Sequence, residues 1–340
     1  MSEAVPRIWA LLGHRRGDNF QVLALAQSLG LPFETRTMRY NLLRKLDKRL
    51  LSRRLDSVLP GARRWLRPPW PDLVIAIGHR SVPVARYIRH ASGGTTRLVQ
   101  IGNPRLDPSV FDLVITMPQY AVPDSDRVLR LPLAMGAPHP VEAASDAERD
   151  ILEALPRPHR LLALGGTARN WRMQPEAMAE AARTLVRRAE TEGGTVIAVG
   201  SPRTERDVLE AVGRALGSSR HLMVDGPMPR YGTLIRDADE IHVTADSVSM
   251  LSEAIFSGKP VGMIPLPMSR RGKWHYRLSD ARLLRPPVRD LRKVGDRLLR
   301  DRLVGTIDAP VAGTVSDPVE IASKAVLQLL TATSRRSPLP

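Results

Sequence analysis

Short apolar runs ending in glycine, each followed by an amphipathic stretch, recur along this chain. Residues 7–12 (RIWALL) run into Gly13 and are followed by a helical pattern at 21–29. Residues 72–77 (DLVIAI) run into Gly78 and lead to a helix over 82–90, while 97–101 and 112–116 read as further buried strands. Continuous β-branched runs of this length, each handing over to a helix, predict βα units of a parallel sheet covered on both faces. A helical stretch at 143–155 stops at Pro156-Arg157-Pro158, and the pattern then restarts. Residues 160–164 run into Gly165-Gly166 and a long helix over 175–192; residues 195–199 run into Gly200-Ser201 and a helix over 205–216. Strands at 221–224, 240–243 and 261–264 follow, then a last helix over 318–330. Two βα series around a proline-flanked break predict an α/β protein of two doubly wound, Rossmann-like domains facing a cleft. The expected borders are 1–157, 158–332 and a flexible tail at 333–340, with the last helix free to cross back onto the first domain.

Composition adds little until charge is considered. At 340 residues, 43% hydrophobic and 25% charged, the chain has the make-up of a globular protein of about two domains. It contains no cysteine, which excludes disulfides, thiolate metal sites and thiol nucleophiles. No apolar run is long enough to span a bilayer, and no charged leader precedes an apolar stretch at the start, so neither a membrane span nor a secretory signal is expected. The net charge, however, is +16, and only six of the 51 basic residues are lysines. It is concentrated in two places. Residues 36–67 hold eleven basic residues against two acids, and residues 269–305 hold twelve against four.

In the first patch, Leu42, Leu43, Leu46, Leu50, Leu51, Leu55, Val58 and Leu59 recur at helical spacing. Arg44, Lys45, Lys48, Arg49, Arg53 and Arg54 surround them. A basic helix with an apolar face predicts a membrane-surface element, and so an anionic membrane as partner. Nucleic acid is not expected: aromatic residues are 4% of the chain and no nucleic-acid module is recognisable.

The densest chemical signal lies at 243–261, VTADSVSMLSEAIFSGKPV. A strand ends in small polar residues and a helix opens at about Ser247. Ser247 and Ser249 set hydroxyls and first-turn N–H groups where a helix dipole attracts a diphosphate. Glu253, four residues after Ser249, could accept both vicinal hydroxyls of a ribose. Gly258-Lys259-Pro260 stops the helix, with Lys259 expected near the anion. A serine cap with a first-turns glutamate occurs on many helices, so the Ser-x-Ser-x-x-x-Glu spacing by itself is weak. Gly165-Gly166-Thr167 after a strand suits backbone N–H groups turned toward phosphate. The spacing Gly-x-Gly-x-x-Gly is missing and no P-loop sequence occurs, which argues against a dinucleotide oxidoreductase and a P-loop enzyme.

TADSVSMLSEA followed by GKPV resembles the mitochondrial fission family of glycosyltransferases, and further motifs extend the resemblance over almost the whole chain. They are Trp9…Gly13-x-x-x-Gly17-Asp18-x-x-Gln21, the strand before Gly78, Gly165-Gly166, and Ser201–Thr204. The resemblance implies the two-domain GT-B fold, similar to the glucosaminyltransferase that makes peptidoglycan lipid II. It places a nucleotide-sugar donor on the C-terminal domain, at Gly165, Gly166, Thr167, Ser201, Arg203, Thr204, Ser247, Ser249, Met250, Glu253 and Lys259. It places the acceptor on the N-terminal domain, at Gly13, Gly17, Gly78 and His79. Two departures stand out: Ser201-Pro202-Arg203-Thr204 keeps one of two usual arginines, and Gln119-Tyr120 stands where the family carries a histidine–aspartate pair.

A base for an acceptor hydroxyl is sought among Asp18, His14 and His79. Asp18 is favoured by its family position, with His14 beside it; the plain alternative is that Asp18 caps a helix beginning near Asn19. No metal-ligand spacing is present, and GT-B enzymes use helix dipoles and basic side chains against the leaving diphosphate, so neither metal nor cofactor is expected beyond the donor substrate. Arg270, Arg271 and Lys273 follow the 261–265 strand and could reach the donor phosphate or an anionic acceptor. The expected function is sugar transfer from a nucleoside diphosphate sugar to a lipid-linked or cell-envelope acceptor, by a cytoplasmic protein peripheral on the inner membrane face. A non-catalytic membrane adaptor and a nucleotide-sugar epimerase on the same fold are the alternatives.

Overall fold

The glycine-terminated apolar runs form the interior strands of two separate parallel sheets. The computed structural model describes residues 5–45, 54–135, 143–168, 170–217, 220–281, 283–284 and 290–331. The chain divides into two compact units, Met1–Gly136 with Ser316–Pro340, and Ala137–Val315.

The first unit carries β1 (Ile8–Leu12), β2 (Phe33–Thr37), β3 (Leu73–Ile77), β4 (Arg97–Ile101), β5 (Leu113–Thr116) and β6 (Val128–Arg130). They lie in the order β2-β1-β3-β4-β5-β6, every pair parallel. Strand alternation sends Ile8, Ala10, Leu73, Ile75, Val99 and Ile101 to one face, where they meet Val22 and Leu25 of α1 (Arg16–Ser28). Trp9, Leu11, Val74, Ala76 and Leu98 go to the other, against Val82, Ala85 and Ile88 of a helix at Gly78–Ala91. That helix is α3, after a one-turn α2 at Pro60–Arg63. The edge strand β2 (FETRT) is half-exposed, so it carries no apolar run to announce it.

The second unit opens with α4 (Asp146–Glu153) and then alternates β7 (His159–Leu164), α5 (Pro175–Glu192), β8 (Thr195–Gly200), α6 (Arg206–Leu216) and β9 (Leu222–Val224). It continues α7 (Tyr231–Asp237), β10 (Glu240–Thr244), α8 (Val248–Phe256), β11 (Val261–Ile264), α9 (Arg270–Asp280) and α10 (Leu291–Arg300). The sheet order is β11-β10-β7-β8-β9, again all parallel. The last helix, α11 (Pro318–Thr331), returns to the first unit, packs on α1 and buries Val319, Ala322 and Val326 in its core.

The borders differ from 1–157 and 158–332 at both ends. Helix α4 lies with the second unit because the buried Glu148 carboxylate is held there. It accepts the Arg230 N–H at 2.7 Å, the Arg230 guanidinium at 2.9 and 2.6 Å, and the Thr233 hydroxyl at 3.1 Å. At the other end, α11 belongs to the first unit.

The basic-leucine helix expected from Leu42 onward does not extend through the described ends of its segment. Leu42–Lys45 is a single 3-10 turn and 54–59 is not helical. A straight helix over 42–59 would span roughly 25 Å, whereas Tyr40 is bridged to Val58 and the Asn41 amide donates to Asp56 O at 2.7 Å. The described ends of the segment therefore exclude one straight helix over 42–59. Lys48, Arg49, Leu50 and Arg53 lie outside the described residues, as do the side chains of Arg44 and Lys45. Arg54 is exposed and paired with Asp56 at 2.7 Å. Leu42, Leu43, Leu59 and Trp65 are exposed.

Candidate functional site

In the second unit the strand order reverses between β7 and β10, and ligands of open α/β sheets sit at the carboxyl ends of such strands. The loops leaving there are Gly165-Gly166 and Ala245-Asp246-Ser247, and a buried carboxylate joins them. Asp246 accepts the Gly166 N–H at 2.8 Å and the Thr244 hydroxyl at 2.8 Å; Thr244 Oγ1 in turn accepts the Gly165 N–H at 2.8 Å. The glycines are required by contact. A Cβ on Gly165 would stand 2.3 Å from Asp246 Oδ2, and one on Gly166 would stand 2.3 Å from Arg203 O. This corrects one expectation: the two glycine N–H groups serve Thr244 and Asp246 and are not turned to a ligand.

Arg203 is brought to the same point, with its guanidinium 3.5 Å from Asp246 and half exposed. The turn that carries it is closed from within. Ser201 Oγ donates to Gly165 O at 2.7 Å, Thr204 Oγ1 donates to Leu164 O at 3.0 Å and accepts the Ser201 N–H at 2.8 Å, and Arg203 N–H donates to Ser201 Oγ at 3.2 Å. Ser201 and Thr204 therefore hold the end of β7 in place, and of the Ser201–Thr204 run the Arg203 side chain is the long cation at the sheet's end.

Helix α8 begins directly after Ser247, which is buried at the N-cap and makes no side-chain cap. Ser249 is exposed in the first turn, Met250 is partly exposed, and Glu253 is half-buried one turn further on. Tyr231, at the start of α7, has its hydroxyl pushed well above the ordinary range, first by burial and then by the Glu253 charge. Thr167 is exposed and accepts the Met173 N–H at 3.5 Å.

Lys259 is not part of this group. Its ammonium donates to the carbonyls of Arg236 and Ala238 at the C-terminal end of α7. Burial lowers its pKa from the ordinary value, against the pull of Asp239 and Asp237. The reason is chain direction: nine residues of α8 run about 13 Å back across the sheet, so Lys259 reaches the opening end of β11 while Ser247 is at the closing end of β10.

In the first unit the order reverses between β1 and β3, whose ends carry Gly13 and Gly78. Gly13 is clamped by Asn19, whose amide accepts its N–H at 2.7 Å and donates to its carbonyl at 2.9 Å. Gly17 is exposed in the first turn of α1. The helix starts at Arg16, so Asp18 lies inside its first turn and is not its cap. Burial raises the Asp18 pKa, opposed in turn by Arg15, His14 and Arg80. His14 Nε2 is 3.1 Å from Arg80 Nη1. Gly78 has φ +68 and opens α3, with His79 partly buried beside it. A cavity of about 350 Å³ is lined by Gly13, His14, Thr37, Met38, Arg39 and Tyr40. Arg80, Tyr40 and Asn19 are additions to the expected residues; only Arg80, two places after a glycine that ends a strand, had a positional signal.

Arg270, Arg271 and Lys273 are all exposed on α9, whose cap Ser269 accepts the Gly272 N–H at 3.0 Å. Among the described residues no group of three or more His, Asp or Glu is placed to hold a metal ion.

A family model described as Mitochondrial fission ELM1 matches residues 16–301. The Arabidopsis thaliana Mitochondrial fission protein ELM1 is 28% identical over 245 residues, which are 63% of this chain and 56% of that protein. An uncharacterized Rickettsia prowazekii protein, RP120, is 31% identical over 119 residues, 32% of this chain and 30% of its own. The matches thus span little more than half of one curated relative and under a third of the other. A Listeria monocytogenes structure described as a candidate UDP-N-acetylglucosamine 2-epimerase superposes with TM-score 0.55 at 14% identity, covering 99% of each chain. S. aureus MnaA in its UDP co-structure gives 0.52 at 13% identity, covering 98% of this chain and 99% of that one. The Neisseria meningitidis UDP-GlcNAc 2-epimerase bound to UDP-GlcNAc gives 0.50 at 12% identity, covering 96% and 100%. At these identities the likeness is one of fold, two Rossmann-like units of the GT-B class.

Proposed function

The chain belongs to the mitochondrial fission ELM1 family, and from that premise we propose that it is a GT-B glycosyltransferase moving a sugar from a nucleoside diphosphate sugar to a lipid-linked or cell-envelope acceptor. The observation that carries the reading is the end of β7 and β10. There one buried carboxylate, Asp246, fixes the glycine loop and Arg203 beside the first turn of α8, with Glu253 one turn on.

In this reading the diphosphate meets the α8 N-terminus and Arg203, which offset its charge as it leaves. Glu253 accepts the two ribose hydroxyls, one at each carboxylate oxygen. Asp18 takes the proton of the acceptor hydroxyl as that oxygen bonds to the anomeric carbon, and the sugar–phosphate bond breaks with its electron pair going to the diphosphate. A carboxylate whose pKa is raised by burial is suited to that proton transfer. No metal or cofactor is assigned a part. The protein would work at the inner face of an anionic membrane. The net charge of +16 favours that surface, and no helix among the described residues is long and apolar enough to cross it.

An epimerase of the same fold would need several carboxylates around the sugar. Asp246 is committed to Gly166, Thr244 and Arg203, which leaves transfer the better account. The test is calorimetry with uridine diphosphate. Two hydrogen bonds to a carboxylate are worth about 3 kcal/mol together, so Glu253→Ala should weaken binding more than a hundredfold while melting as the wild type does. Equal affinity in the two proteins removes Glu253 from the site. A wild type that no nucleoside diphosphate stabilises would favour the non-catalytic membrane adaptor instead.

A further inference from the structure

We propose that the outer face of α9 is a docking surface for anionic lipid headgroups, with Trp274 as its interfacial anchor. Gly272 and Tyr276, four residues apart, form the inward line of this helix. Gly272 lies so close to Asn170 that a Cβ would stand 2.3 Å from its carbonyl oxygen. The Tyr276 ring has the Arg292 guanidinium over it at 3.9 Å and the Trp171 ring at 6.3 Å. The buried side is therefore fully occupied.

At 100° per residue, Trp274 points almost directly away from that side. Arg270 lies one turn before it and Arg277 one turn after, with Arg271 and Lys273 flanking, and all four cations are exposed. Trp274 itself is 62% exposed. Its neighbours on the outward line are Arg270, Arg277 and the partly buried Leu278, and the one acid of the helix, Asp280, sits at its last residue, 3.4 Å from Arg292. Leu283 and Leu284, three and four residues beyond the helix end, are 71% and 40% exposed.

A large indole set outward and 62% exposed gains little from packing. It does gain at a bilayer interface, where the ring lies among acyl chains and headgroups and the N–H finds a polar partner. Ringed by cations it suits an anionic leaflet. The neighbouring exposed leucines favour lipid over nucleic acid, which would use further stacking rings. This surface belongs to the second unit, the 36–67 segment to the first, and it does not depend on the nucleotide reading.

The experiment isolates Trp274 as the fluorescence difference between the wild type and Trp274→Phe. It uses vesicles of phosphatidylcholine alone, the same with phosphatidylglycerol, and a set with brominated chains. With anionic vesicles the Trp274 contribution should shift to shorter wavelength and be quenched by bromine, and phosphatidylcholine alone should leave it unchanged. Arg270→Gln and Arg271→Gln should each weaken binding roughly five-fold, the equivalent of about 1 kcal/mol per basic residue. A vesicle-bound protein whose Trp274 stays unquenched overturns the proposal. So does failure to bind anionic vesicles, or a Trp274 response to an RNA oligomer alone.

Discussion

Replacing Asp246 by asparagine tests how the site is held together. The side chain is buried and nearly isosteric, so the change acts through hydrogen bonding. The amide can turn its oxygen to the Gly166 N–H now at 2.8 Å and its NH2 to Thr244 Oγ1, also at 2.8 Å. Thr244 Oγ1 then accepts from both the Gly165 N–H and the introduced amide, and its own proton loses its acceptor. One charge-assisted bond becomes an ordinary one, a loss of about 1 kcal/mol, and an orphaned buried hydroxyl costs at least about 1 kcal/mol more. A total near 2 kcal/mol should lower the melting midpoint of a unit of this size by about 4–8 °C, read by calorimetry. Gly165→Ala supplies an internal control, because its Cβ collides with the same carboxylate at 2.3 Å. Gly165→Ala combined with Asp246→Ala should therefore be less damaging than the two single costs added. If Asp246→Asn melts within about 1 °C of the wild type, or the double variant shows strict additivity, Asp246 is not what binds the two loops.

Other outcomes follow from the same contacts. Arg230 and the Ser145 N–H hold the Glu148 carboxyl well below its ordinary 4.5. Stability from that carboxylate is complete above the unfolded value and drains as pH falls toward the lower native one, so Glu148→Gln should flatten the acid limb of urea-unfolding stability below about pH 4.5. An unchanged acid limb would dismiss Glu148 as its source. Lys259→Met removes a cation from the last carbonyls of α7 and should cost about 1 kcal/mol of stability without altering affinity for uridine diphosphate; a large loss of affinity would return Lys259 to the site.

Much of this fold is legible because parallel strands covered on both faces carry continuous apolar runs, as β3 does throughout and β7 and β8 do after their first polar residues. The edge strands β2 and β6 face water on one side and show no such run. Helix α3 starts four residues before its apolar pattern because Gly78 turns directly into it at positive φ, with no capping side chain to mark the place. Ser247, Ser249 and Glu253 are readable from spacing on one helix, a local property. Asp246 is not, because its partners Gly166 and Arg203 come from other strands. Lys259 is misplaced by sequence for a related reason: proximity along the chain hides the length of a helix that carries it across the sheet. The pairing of Glu148 with Arg230, 82 residues apart, leaves no mark in either local sequence.

The return of α11 to the first unit has a consequence for synthesis. Val319, Ala322 and Val326 join α1 in covering one face of the sheet, yet they leave the ribosome after every residue of the second unit. The unit translated first is thus the one finished last. Until then it waits with an apolar groove along α1, while the later-made unit already has all of its own strands.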